Sequence, residues 1–167
     1  MIRLYMLDAN KYMSQINAVL KKESNQIIYV TTGKSASTLI ESFTKGKIDT
    51  KNIFFIDCTT KNSIAEPKKG LNKIINLQSP ESLTAMSLAI TECVKKIRGK
   101  NITIVMDSLS SLLIYNEEMI VSQFMNFLVN KVRSMEVNLY LLAINGNAEK
   151  YAIQQISTTV DEIKKMN

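Results

Sequence analysis

Four short apolar runs, each rich in β-branched or aromatic residues, recur along the 167 residues between segments with helical periodicity. They are QIIYVTT (26–32), NIFFIDC (52–58), NITIVM (101–106) and VNLYLLAI (137–144). Continuous apolar strands of this kind are typical of parallel sheets that are covered on both faces. Because helical segments alternate with these runs, we predict an α/β three-layer sandwich. It has a mainly parallel β-sheet with helices on both faces, and residues 1–167 form a single domain.

Apolar periodicity and capping residues give the remaining elements. We predict short strands at Lys73–Leu77 and Asp161–Lys165, and a loop over Thr59–Leu71. Two helices are predicted with caps: Ala9–Lys22 begins after Asp8 as its N-cap, and a second helix runs from Ser35 or Ala36 to Lys45 and ends at Gly46. A third helix begins at Ser79-Pro80-Glu81 and ends at Gly99. The others are a short helix or turn at Ser108–Asn116, a long helix at Glu117–Met135, and a helix at Ala148–Thr158.

The scarcity of glycine and the absence of histidine exclude several classes of enzyme. The five glycines, at positions 33, 46, 70, 99 and 146, are too far apart for a G-x-G-x-x-G loop or a complete G-x-x-x-x-G-K-[ST] loop. Without histidine, the chain has no histidine base and no histidine metal ligand. We therefore expect no metal site and no catalytic residue of these kinds.

Cysteine content and apolar run lengths bear on where the protein is found. Cys58 and Cys93 form no C-x-x-C pair and are typical of thiols in a reducing cytoplasm. Arg3 and Asp8 interrupt the early apolar run, and no charge-free stretch approaches the ~20 residues of a spanning helix. We expect a cytoplasmic protein without membrane insertion.

The net charge of +6 comes mostly from lysines that are spread along the chain. Nucleic-acid readers usually combine arginine with exposed aromatic residues, and no such cluster stands out here. Weak, nonspecific attraction to polyanions is therefore the most that the charge predicts.

Gly33-Lys34-Ser35 follows a predicted strand and opens a helix, as the end of a phosphate-binding loop does. However, Ile28 occupies the position of the first glycine, and too few residues separate the strand from Gly33 to wrap a phosphate. A strand-to-helix turn with a serine cap is one interpretation. A weaker anion site at Lys34 and Ser35 is the other.

In the segment ITIVMDSLSSLL (102–113), a strand with four apolar residues, ITIVM, leads into an acid. This is the form of a Walker B element, in which the acid orients a metal ion on the phosphates of a nucleotide. Asp107 or Ser108 would also serve simply to cap the next helix. The two interpretations are compatible.

The segments IVMDSLSSLLIYN and VNLYLLAIN resemble the core of the KaiC/RadA group within the RecA-type ATPases. QIIYVTTGKSASTLIESFTKGKIDTKNIFFIDCTT is similar to the second strand, helix and third strand of that group, and TTVDEIKKM to its late Asp-containing segment. The resemblance implies a RecA/KaiC-like fold, and the chain would be truncated at the N-terminus relative to it. Of the functional positions of the group, only Asp107 has a match, at the Walker B-like position.

Departures from the group predict a loss of catalysis. Active members have a glycine-rich phosphate loop before the first helix, where this chain runs from Met1–Leu7 straight into that helix. They also carry catalytic glutamates after the strand that here ends in Thr31 and Thr32. We therefore predict a degenerate ATPase without cofactor, which acts by protein–protein interaction or by regulating an assembly.

A protein partner is expected, either a second copy of this chain or an intact RecA/KaiC-like ATPase. The candidate interaction residues are Leu112, Leu113, Ile114 and Tyr115, four apolar side chains in a row. Two alternatives stay open. One is weak nucleotide binding or ATP hydrolysis, with Mg²⁺, through Lys34, Ser35 and Asp107; the other is single-stranded nucleic-acid binding.

Overall fold

A computed structural model describes residues 1–59, 74–97, 101–146 and 150–167. Seven strands form one sheet in the order β4-β3-β2-β5-β6-β1-β7, and every neighbouring pair is parallel. The strands are β1 (Ile2–Leu7), β2 (Gln26–Thr31), β3 (Ile53–Asp57), β4 (Ile74–Asn76), β5 (Ile102–Asp107), β6 (Asn138–Ile144) and β7 (Glu162–Lys165). The predicted α/β class with a parallel sheet is confirmed.

Six helices cover the two faces of this sheet. They are α1 (Tyr12–Leu20), α2 (Ala36–Lys45), α3 (Leu83–Lys96), α4 (Leu109–Tyr115), α5 (Glu118–Ser134) and α6 (Lys150–Ser157). Alternate strand residues separate the core into two clusters. One packs against α3, α4, α5 and α6, and the other against α1 and α2. This is the three-layer arrangement that the continuous apolar strands predict.

Strand β1 is the element that the sequence analysis left unassigned. It lies between β6 and β7, so the sheet does have a strand before its first helix. Arg3 interrupts the apolar run of β1, and its guanidinium leaves the sheet to reach Glu162 at 2.7 Å and the hydroxyl of Tyr140 at 3.1 Å. Arg3 is only partly buried, and the neighbouring strands β6 and β7 supply partners for its guanidinium.

Helix α3 begins later than predicted. Its first residue is Leu83, because Ser79 and Ser82 close a turn in which the Glu81 N–H donates to Ser79 Oγ. The predicted loop at Thr59–Leu71, the start of the strand at Lys73 and the helix end at Gly99 lie wholly or mostly outside the described residues. The other predicted helices and strands agree within about three residues at each end.

Within the described ranges, none of the helices combines the length and the apolar content that crossing a bilayer requires.

Candidate functional site

A cleft of about 600 Å³ opens at the carboxyl ends of the central strands. Asp107, the last residue of β5, lies in it, and Lys34 and Tyr12 line it from the β2–α2 turn and from α1. Ser108, Ser110, Ser111, Leu113 and Ile114 contribute from the α4 side, with Ala9, Gly33 and Ile144 completing the lining. The site thus forms where the ends of parallel strands meet, the usual place for ligands in such sheets.

The carboxylate of Asp107 accepts hydrogen bonds from two tyrosines, one at each oxygen. Tyr29 in β2 donates its hydroxyl to Oδ2 at 2.6 Å, and Tyr12 in the first turn of α1 donates to Oδ1. Tyr29 is fully buried, and Asp107 is only 6% exposed. Each carboxylate oxygen therefore already has a phenolic donor, which stabilises an acceptor that water hardly reaches.

Burial dominates the titration of this group. It raises the pKa of Asp107 above the ordinary carboxyl value, although the hydroxyls of Tyr12 and Tyr29 and the charge of Lys34 act in the opposite direction. Burial, together with the charge of Asp107, also raises the pKa of Tyr29 well above 10.0, so this phenol keeps its proton and remains a donor.

A hydroxyl network fixes the start of α4 beside Asp107. Ser108 and Ser111 form a capping box, and Thr32 Oγ1 lies 2.6 Å from Ser111 Oγ and donates to the Asp107 carbonyl at 3.0 Å. Ser108 is thus the helix cap that the sequence offered as one interpretation. The peptide bond between Asp107 and Ser108 is cis.

The Gly33-Lys34-Ser35 turn is closed by partners from the protein itself. Ser35 Oγ accepts from the Thr38 N–H at 3.3 Å, and the first N–H of α2, that of Ala36, donates to Asp57 Oδ2 at 2.7 Å. A Cβ added at Gly33 would lie 3.4 Å from Ser111, so the turn packs closely on α4. The carboxylate of Asp57 therefore already holds the anion position at this helix start.

Lys34 stays available in the cleft. Its side chain is exposed, and in the described ranges no carboxylate lies within ion-pair distance of its ammonium. The structure thus brings Lys34 and Asp107 into one cleft, whereas Ser35 caps its own helix.

The residues present do not fit a magnesium-bound nucleotide. Tyrosine hydroxyls hold both oxygens of Asp107, the acid that would orient the metal ion. Between β1 and α1 the backbone turns back at once: Asp8 Oδ1 accepts from the Asn10 N–H, and the Asp8 N–H donates to Gln15 Oε1, each at 2.8 Å. Residues 1–32 contain no glycine, which a phosphate-wrapping loop requires. Among the described residues, no group of three or more carboxylate or cysteine side chains could hold a metal ion.

The four predicted interaction residues divide into two pairs. Leu112 is fully buried and Leu113 packs against the core, so folding already uses these two side chains. Ile114 is 77% exposed and Tyr115 is 48% exposed. A partner could therefore reach Ile114 and Tyr115, at the end of α4, but not Leu112.

Three residues of the site were not predicted: Tyr12, Tyr29 and Asp57. Tyr29 lies in the apolar run of β2, where a tyrosine hydroxyl needs a buried partner, and this need was the available signal. Asp57 follows β3 as Asp107 follows β5, and the repeated pattern of an apolar strand ending in an acid was the signal for it.

A family model described as "Family of unknown function (DUF7504)" matches residues 15–163. The chain belongs to this family. Among curated proteins, none matches it.

Solved structures from Pyrococcus horikoshii are similar in fold. The uncharacterized protein PH0321, in complex with an unknown peptide, has a TM-score of 0.68 at 14% identity, over 99% of this chain and 76% of that one. The KaiC-like protein PH0186 has a TM-score of 0.61 at 16% identity, and the match covers 99% of this chain and 71% of that one. The PH0250 structure has a TM-score of 0.61 at 12% identity, and the match covers 99% of this chain and 81% of that one. The family member described here therefore has a RecA/KaiC-like α/β fold.

Proposed function

We propose that this chain is a RecA/KaiC-like module that does not hydrolyse ATP and acts through contact with another protein. The observation that carries the proposal is the paired hydrogen bonding of Asp107 by Tyr12 and Tyr29. Phosphoryl transfer depends on a metal ion and on donors that hold the phosphates. Here the acid that would orient the metal ion is held by phenols, and Asp57 holds the first N–H of α2.

Two further observations support a role in protein contact. Ile114 and Tyr115 are exposed beside the cleft. In addition, the neighbour PH0321, a protein of this fold, was crystallised in complex with an unknown peptide. The partner proposed for this chain is a second copy of it or an intact RecA/KaiC-like ATPase.

Phosphate release from Mg-ATP tests the absence of catalysis. Wild type and Asp107→Asn are expected to release phosphate at the same rate as buffer. The matched control is Asp161→Asn, which removes a carboxylate beside Ile2 at the amino ends of β1 and β7, the edge of the sheet opposite the cleft. A wild-type rate above buffer that Asp107→Asn abolishes and Asp161→Asn retains would overturn the proposal.

The second candidate function is weak nucleotide binding through Lys34 and Asp107. It is favoured by the exposed ammonium of Lys34, which lines the same cleft as Asp107. If this second function is correct, wild type binds ATP with a measurable affinity, and Lys34→Ala abolishes that binding. If the first function is correct, wild type itself has no measurable affinity for ATP, and Lys34→Ala changes nothing.

A further inference from the structure

The outward face of α5 carries an apolar stripe that nothing in the described part of the chain covers. Met119, Ile120 and Phe127 are 62%, 46% and 53% exposed, although the opposite face of the helix is packed in the core. Gln123 and Asn130 are the exposed residues between and beyond them. From Met119 to Asn130 this stripe, the α5 stripe, has no charged residue, in a chain of which 22% is charged.

We propose that the α5 stripe is the contact surface for a second copy of this chain, with the two α5 helices antiparallel about a two-fold axis at Gln123. The inference deepens the proposed function, on which it rests, by naming the partner and the surface. A two-fold interface must be self-complementary, because the same patch is present on both sides. The spacing of the residues in the stripe and the charges that flank it both meet this condition.

The apolar residues are symmetric about Gln123. Met119 lies four residues before it and Phe127 four residues after it, which is about 6 Å in either direction along the axis. An antiparallel pair therefore sets Phe127 of each copy against Met119 of the other, and methionine sulfur contacts aromatic rings favourably. At the axis, the Gln123 amide has both donors and an acceptor, so it can pair with its own copy.

The charges that flank the stripe are complementary in this orientation. Glu117 precedes the stripe and is exposed, whereas Lys131 follows it, with its ammonium 5.4 Å from the centre of the Phe127 ring. Lys131 Nζ donates to Ser87 Oγ at 3.0 Å, and in the described ranges neither Glu117 nor Lys131 has an ion-pair partner. Antiparallel pairing brings Glu117 of one copy within about 3 Å, along the axis, of the level of Lys131 in the other.

The exposed area of two copies together, about 1,000 Å², lies at the lower end of the range for a specific interface. Ile114 and Tyr115 adjoin the stripe along the chain, and with them it exposes on the order of 500 Å² of large side chains. A standard interface buries about 800 Å² on each partner, with a polar rim around an apolar centre. The uncharged centre also lets two chains of charge +6 meet without opposing like charges there.

Light scattering after size-exclusion chromatography tests the proposal on the full chain. As concentration rises, the molar mass is expected to increase from 18.8 kDa toward twice that value. Phe127→Glu should raise the dimer dissociation constant at least about tenfold. The matched control is Leu88→Glu on α3, which changes an equally exposed apolar side chain (58%) outside the stripe and should have no effect.

Charge reversal tests the orientation. Glu117→Lys alone and Lys131→Glu alone should each be monomeric, because each places like charges at both ends of the pair. A mixture of the two variants should form dimers, because the heterodimer restores two opposite-charge pairs. Circular dichroism on each variant checks that it is folded, and recovery in the mixture excludes misfolding as the cause of a loss.

Two results would overturn the inference. One is a wild-type chain that stays monomeric up to about 1 mM, the weak limit for a specific contact. The other is a dimer that Phe127→Glu leaves intact or that the mixed variants do not restore. Neither result changes the prediction for ATP, so a monomer without ATPase activity would reject the second copy and leave the proposed function standing.

Discussion

Asp57 and Asp107 end two strands at the same edge of the sheet, both are buried, and both follow an apolar run. Their partners differ. Asp57 accepts from the Ala36 and Thr59 N–H groups at 2.7 and 2.8 Å and from the Thr59 hydroxyl at 2.8 Å. Asp107 accepts from two tyrosine hydroxyls in a cleft. The same sequence pattern, an apolar strand that ends in an acid, thus gives two different carboxylates. Asp57 fixes the backbone, whereas Asp107 is held by side chains that a partner or a substitution can displace.

The largest effect is expected for Asp57→Ala. The substitution leaves the N–H groups of Ala36 and Thr59 without their charged acceptor, so we expect a loss of about 3 kcal/mol in the free energy of unfolding. Urea denaturation measures it. Asp57→Asn keeps one acceptor oxygen and should lose less. A loss below about 1 kcal/mol for Asp57→Ala would show that Asp57 does not hold this backbone.

Tyr29→Phe is expected to lower the free energy of unfolding by about 1–2 kcal/mol and to raise the pKa of Asp107 further, because it removes a hydrogen bond to the ionised form. Carbon-13 NMR of the carboxyl group measures that pKa. Tyr12→Phe should raise the same pKa with a smaller loss of stability, since Tyr12 is partly exposed. A fall in the pKa of Asp107 in either variant contradicts the assigned contacts.

The pH dependence separates Asp107 from a carboxylate that stabilises by its charge. Burial raises its folded-state pKa, so the protonated form favours folding. The free energy of unfolding of wild type, relative to Asp107→Asn, should therefore increase as pH falls from neutrality through that pKa, and level off below the unfolded value of about 3.8. Denaturation at several pH values measures this. A relative loss of wild-type stability on acidification would contradict the sign.

The smallest effect is expected for an exposed carboxylate, Asp161. The Ile2 N–H and the Arg133 guanidinium lower its pKa, so its contribution is present at neutral pH and is lost as pH falls through the folded value. Because water screens the pair of Asp161 and Arg133, Asp161→Asn should lower the free energy of unfolding by less than about 1 kcal/mol at neutral pH. In strong acid it should not lower it at all. Denaturation at both pH values measures the two costs. An equal cost at both would mean that the charge is irrelevant.

The layers of the fold could be predicted from the sequence because buried parallel strands are continuous apolar runs, as in β2, β3, β5 and β6. Strand β1 could not, since Arg3 breaks its run and its partners Glu162 and Tyr140 are more than 130 residues away. Helix α3 was placed too early because Ser79 closes a turn rather than capping the helix.

Part of the site was predictable because one of its residues, Asp107, follows such a continuous apolar run. Asp107 could be predicted because the apolar strand residues that indicate a Walker B-like acid directly precede it in the sequence. Its contact with Tyr29 depends on register: Thr31 pairs with Asp107, so Tyr29 lies two residues back in the neighbouring strand, on the same face of the sheet. Tyr12 joins them from α1, which packs on that face. The hydroxyl of Tyr29 in an apolar strand indicates that it needs a buried partner, but register and helix packing decide which residue that partner is, and these are not visible in one sequence.

A thermal-shift titration with Mg-ATP, on wild type and Asp107→Ala, measures whether the cleft at Asp107 binds a nucleotide. Ligand at about 100 times its dissociation constant would stabilise the folded chain by about 2.7 kcal/mol, or several degrees in Tm. We predict no shift at millimolar Mg-ATP for either protein, because tyrosines hold Asp107 and no loop wraps the phosphates. A clear shift for wild type that Asp107→Ala abolishes would show instead that the cleft binds Mg-ATP through Asp107.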